Sequence, residues 1–205
     1  MKIAHTILLL LTIIIFSCGR KPVQRVQENT TIDLNTRWNQ TDARLTAETM
    51  VSQLLEEAWY KKFISTHGAE KPRLIVDMII NQSSEHIDTK MFTEEIKRDL
   101  INSGSVKMVN DGVLRESMRA ERADQQINAN EKTRKKLQNE NGADYVLQGY
   151  ITSNVQTDGR GQKTVYYQVN LELSDIESSD NVWVGSKKIF KYAGKKNYKN
   201  YKTND

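Results

Sequence analysis

The sequence is poor in the residues that usually carry chemistry or crosslinks. Its 205 residues include one cysteine, three histidines and two prolines. A single cysteine, Cys18, excludes an intrachain disulfide and any cysteine-based metal cluster. Charge of one sign is also lacking. Thirty basic residues against 26 acidic ones leave a formal net charge of +4, too mild an imbalance to suggest a nucleic-acid partner. A long apolar run is missing too. The stretch Ile7 to Phe16 is about half of the roughly 20 residues that a spanning helix needs, and the chain turns polar at Gly19-Arg20-Lys21.

What is present at the start is a sorting pattern. Lys2, the apolar run and Ser17-Cys18-Gly19 form a basic region, a short hydrophobic core and a small-residue cleavage site, so residues 1–17 are expected to be a signal peptide. Ile15-Phe16-Ser17-Cys18 resembles the lipobox of signal peptidase II substrates, with isoleucine where leucine is commoner. The resemblance implies that Cys18 receives the lipid. Gly19 follows, not the aspartate that commonly retains lipoproteins in an inner membrane, which favours the outer membrane with the chain facing the periplasm. Residues 18–40 are polar with no consistent apolar period and are expected to be a lipidated flexible tether.

The globular domain is expected over residues 41–192. Ala47, Met50, Val51, Leu54, Leu55, Ala58 and Trp59 recur at three- and four-residue steps, which predicts one amphipathic helix from Thr41 to about His67-Gly68. After Pro72, Arg73 to Ile80 is apolar on both faces, as a central covered strand would be. Asp88 then caps a helix, with Ile87 and Phe92 placed as a hydrophobic staple and Gly104 able to close it. Ser105 to Val109 reads as a short strand and Asp111-Gly112 as a turn. Arg115 to Asn139 reads as a highly charged helical stretch on the surface, with Ala123-Asp124 as the point where a break is allowed. Alternation over Tyr145–Val155, Val165–Leu173 and Val182–Tyr192 gives three strands, joined by turns at Asp158–Gln162 and Glu177–Asn181. The expected fold is α/β, a single domain with a mixed sheet, a C-terminal antiparallel meander and helices packed on it.

No constellation of catalytic type stands out. His86 with Asp88 could form half a metal site, but no third ligand is near, and a solvated loop histidine is the preferred reading. Asp77, inside an apolar strand, reads either as a buried general acid or as a residue at a sheet edge or paired with arginine; the second is preferred. Asp158-Gly159-Arg160-Gly161 lies between strands, not before a helix, so it does not cradle phosphate. Nor is there a marked pair of carboxylates for glycan hydrolysis. The chain is expected to be a binding protein without catalysis, cofactor or metal. Residues 193–205 form a basic tail in which Lys195, Lys196, Lys199 and Lys202 lie among Tyr198 and Tyr201, following Lys187, Lys188, Lys191 and Tyr192. Such a tail could pair with anionic headgroups, peptidoglycan carboxylates or an acidic partner, or simply be a solvated terminus.

Several blocks carry a family resemblance when taken in order. Thr41-Asp42-Ala43-Arg44-Leu45-Thr46, Lys71-Pro72-Arg73-Leu74-Ile75-Val76, His86-Ile87-Asp88-Thr89-Lys90-Met91-Phe92-Thr93, Leu100-Ile101-Asn102-Ser103-Gly104, Gly142-Ala143-Asp144-Tyr145-Val146-Leu147-Gln148-Gly149 and Val182-Trp183 resemble the LpoB family of lipoprotein activators of penicillin-binding proteins. The resemblance implies an outer-membrane lipoprotein whose monomeric periplasmic domain docks on a class A penicillin-binding protein and stimulates it allosterically. It also implies a fold akin to TolB-like and curli-secretion lipoproteins, so a structural subunit of an envelope or curli-type secretion assembly is the alternative. The family's long proline-rich linker has no counterpart here, where the tether holds only Pro22. The charged helix and the Asp158–Gln162 hairpin are the candidate docking elements.

Overall fold

A computed structural model describes residues 24–27, 30–110, 112–135, 140–158 and 161–194. The chain divides into two units, Met1–Thr31 and Ile32–Asp205. In the first, the Thr30 N–H donates to the Gln27 carbonyl at 3.0 Å. Cys18, the signal peptide and the tail beyond Gly194 lie outside the described residues, and so does Asp111 of the expected turn.

Helix α1, Gln40–Glu56, starts from a capping box. The Asn39 side chain accepts the Asp42 N–H, and the Asp42 carboxylate accepts the Asn39 N–H at 2.9 Å. The predicted single helix is in fact two, because Glu57 is extended and α2, Ala58–His67, begins afresh. The break frees the Leu54 carbonyl, which takes the Trp59 indole N–H at 2.7 Å. It also turns Trp59 and Phe63 onto Tyr145 in edge-to-face contacts, which is the packing gain that a straight helix would forgo.

Strand β1, Arg73–Asn81, lies between β2, Lys107–Met108, and β3, Tyr145–Thr157, both parallel to it. Strands β4, Lys163–Asp175, and β5, Asn181–Ala193, continue the sheet antiparallel in the order β2-β1-β3-β4-β5. Helix α3, Thr89–Asn102, packs on β1 and on α1, and α1 packs on β5, so both helices cover the same face. The core fills the space between: Met50, Leu54, Phe92, Ile96, Leu147 and Tyr167 are at most 1% exposed. This is the expected mixed α/β domain, with one difference. The strand expected to be covered on both faces is covered on one. A bulge between Val76 and Ile79 leaves Asp77 and Met78 both exposed, and Ile80 is 52% exposed.

The motif blocks turn out to be folding instructions. Asp88 caps α3 by accepting the Lys90 and Met91 N–H groups, while Ile87 and Phe92 are buried as the staple. Asp144 accepts the Arg73 N–H at 2.7 Å and its own N–H goes to the Arg73 carbonyl at 2.8 Å, which sets the β1–β3 register. At Gly149 a Cβ would sit 2.2 Å from the Asn170 carbonyl oxygen, so only glycine admits β4 at this distance.

Candidate interaction surface

The structure takes the sequence-predicted site residues apart. His86 is exposed in the loop before α3, and its supposed partner Asp88 is spent on the helix cap. His67 is exposed at the end of α2, stacked on Phe63. Asp77 is exposed at the β1 bulge, not buried as a general acid would be. Among the described residues no group of three histidine, cysteine or acidic side chains is placed to hold a metal ion. In the hairpin between β3 and β4, the Gln162 N–H donates to the Asp158 carboxylate at 3.0 Å; Gly159 and Arg160 lie outside the described residues.

Lys191, which the sequence places in the lysine run leading into the basic tail, is instead tied into the domain. Its Nζ lies 2.6 Å from Asp42 Oδ2 and 2.8 Å from Asp33 Oδ1, and it donates to the Arg37 carbonyl at 3.0 Å. Alternation along β5 puts it on the helix-covered face, which the run of lysines in the sequence conceals. The same lysine acts oppositely on its two acids. Its hydrogen bond holds the exposed Asp33 below the ordinary carboxylate value. Burial pushes Asp42 above that value, with the Lys191 bond opposing it.

These contacts belong to a strap that begins before the expected domain edge. Thr36 is buried, and Trp38 packs edge-to-face on Phe92 and Tyr167. Tyr167 Oη lies 2.6 Å from Glu85 Oε2 and 3.0 Å from the Thr36 carbonyl, and the Trp38 N–H donates to the same Glu85 oxygen at 3.2 Å. Burial first, then Glu85, pushes the Tyr167 hydroxyl well above the ordinary tyrosine value. The ordered domain thus takes in Ile32–Asn39, which sequence periodicity could not show because single apolar residues there pack without a repeat.

The charged helix is α4, Gly112–Asn128, continuous through Ala123-Asp124, where the sequence allows a break. None of its residues is buried, and Val113, Leu114 and Met118 are at least 50% exposed. Between it and β2 runs a groove of about 510 Å³ lined by Arg73, Lys107, Met108, Arg115, Met118 and Arg122, among others. Glu140 lies across it, bonded to Arg119 at 2.9 and 3.0 Å and to Arg122. Arg119 and Arg122 hold that carboxyl below its ordinary value. The Nε atoms of Arg73 and Arg122 are buried with no hydrogen-bond partner among the described residues. Arginine and methionine around exposed apolar groups make a surface suited to holding a protein.

The peptidoglycan-synthase activator family LpoB matches residues 42–189, from the first turn of α1 to near the end of β5. The chain belongs to the LpoB family. Solved LpoB C-terminal domains are similar to it: that of Escherichia coli at 19% identity and TM-score 0.43, and that of Salmonella enterica at 17% and 0.42, each match covering 72% of this chain and 98% of the other. Lipoprotein GNA1162 from Neisseria meningitidis is 15% identical at TM-score 0.38, with coverage of 60% and 84%. No curated protein sequence matches the chain. Within the LpoB segment lie the Asp88 cap, the staple and the Asp144 and Gly149 positions, so much of what identifies the family also builds its fold. Among the described residues no helix is long and apolar enough to cross a membrane.

Proposed function

We propose that this LpoB-family chain is a lipoprotein acylated on Cys18, held at the outer membrane facing the periplasm, that binds and activates a class A penicillin-binding protein. The observation that carries this reading is the match to peptidoglycan-synthase activators across the whole sheet-and-helix domain. The domain contributes no covalent step. It docks and shifts the synthase toward its active population by binding that state more tightly. Helix α4 and its groove supply the docking surface, with Met118 and Leu114 as apolar contacts and Arg73, Arg115 and Arg122 selecting an acidic rim on the synthase.

Because the strap from Ile32 belongs to the domain, the tether is only residues 18–31, roughly 14 residues reaching at most about 48 Å. The start of the strap must lie within that distance of the membrane. The test is to add the purified lipoprotein, in detergent, to each class A synthase of the same cell and follow glycan polymerisation. A raised rate with one of them is expected, together with its recovery in a pull-down. Unchanged rates with all of them would remove the reading.

A further inference from the structure

The face of the sheet opposite α1 and α3 carries an unusual selection of side chains. In strands β3, β4 and β5 the residues that alternate with the core point outward, and Glu172 and Lys188 are the charged ones among them. The chain as a whole is 27% charged, so an exposed surface would ordinarily hold more. Aromatic rings stand among amides and hydroxyls instead. Tyr166 pairs across the strands with Phe190, which is 59% exposed, and Tyr150 pairs with Asn170. Tyr150 and Tyr166 are four residues apart in register, about 13 Å along the strands.

The polar groups between the rings are already held. The Tyr166 hydroxyl donates to Gln168 Oε1 at 3.4 Å, and Gln168 Nε2 donates to Asn170 Oδ1 at 2.8 Å. This line of hydroxyl and amides along β4 keeps spare donors and acceptors pointing outward, and little side-chain freedom remains to be lost on binding.

We propose that this open face binds the uncharged sugar backbone of a glycan strand, the substrate class of the synthase; that choice of ligand rests on the activator reading. A pyranose ring presents C–H groups on its faces and hydroxyl or acetamido groups on its edges. Spaced aromatic rings match the former and two-way amide groups the latter. The near absence of charge fits a neutral polymer. A membrane surface would call for a basic face, and a second copy of the chain would call for a contiguous apolar centre, whereas here Gln168 and Asn170 part Tyr150 from the Tyr166–Phe190 pair. The activator would then hold the product strand as the synthase extends it.

The test uses the full-length lipoprotein in detergent and a β-1,4-linked N-acetylglucosamine hexamer as the probe, with titration calorimetry. Saturable binding is expected, unchanged when salt is raised because no ion pair is involved. Phe190→Ala and Tyr166→Ala should each weaken it about tenfold. If either variant melts early, Ser186→Trp, which obstructs the face from an exposed edge-strand position, should weaken it equally. No binding of the hexamer, or binding indifferent to all three substitutions, overturns the proposal. So does a wild-type dimer in sedimentation that Phe190→Ala dissolves, since a second copy would then own the face. Synthase stimulation that survives without hexamer binding would sink this inference alone, while hexamer binding without stimulation of any synthase would sink the activator reading alone.

Discussion

Lys191, near the end of the last strand, sits 2.6 Å from Asp42 in the first turn of the first helix, and both side chains are about nine-tenths buried. The pair ties the two ends of the domain together, and Asp33 of the strap shares the same ammonium at 2.8 Å. The strap, the first helix and the last strand therefore depend on one cation.

Removing that cation should be costly, because it leaves Asp42 buried and unpaired. Lys191→Ala is expected to lose roughly 3 kcal/mol in urea unfolding. The deficit should shrink toward acid pH. Asp42 already has a folded pKa raised above its unfolded value, so its contribution is favourable below the unfolded pKa and lost as pH rises through the folded one; without Lys191 it rises further. The lowered pKa of Asp33 gives wild type a contribution present above the unfolded value and lost as pH falls through the folded one. Asp42 narrows the gap between pH 7 and pH 4, and Asp33 narrows it further below about pH 4. A gap of constant size would contradict the assignment.

Tyr167 predicts a loss at the other end of the scale. Its folded pKa is raised, so the unfolded chain gives up the proton first, near the ordinary value of 10.0, and stability falls as pH rises above that. Tyr167→Phe should be less stable than wild type at pH 7, by about 1 kcal/mol for the lost hydrogen bond, and should show a shallower decline in Tm from pH 9.5 upward.

Gly149→Ala should destabilise by roughly 1–3 kcal/mol or more, because the added methyl meets the backbone oxygen of Asn170, which cannot swing aside as a side-chain tip would. Gly161→Ala, in open space at φ +86, should cost less and act through backbone strain alone. Urea midpoints of the two variants compare the effects directly.

Cys18→Ser is expected to release the protein from membranes on fractionation and to abolish activity in cells, while the purified variant still binds its synthase. Loss of binding in vitro would show that Cys18 does more than anchor.

Much of the fold was legible because its signals are local. Asp88, Ile87, Phe92 and Gly104 declare α3 within one stretch, and the alternation of Val165 to Leu173 declares β4. The break at Glu57 was not, since the apolar period runs straight through it; the contact of Trp59 with Tyr145, made possible by the chain's return in β3, decides it. The β1 bulge was hidden for a similar reason, as apolar residues on an open face read like buried ones.

The sequence by itself determined the order of helices and strands, the caps and turns that bound them, and the ordered blocks by which the LpoB family is recognised. These rest on neighbours a few residues apart, whose spacing is the physics. Only the tertiary structure decided that Lys191 is a buried partner and not part of a free basic tail, that residues 32–39 are a packed strap, and that one sheet face stays open with rings among amides. Those facts depend on which distant segments meet and which face the two helices leave uncovered, and a linear pattern does not contain that information.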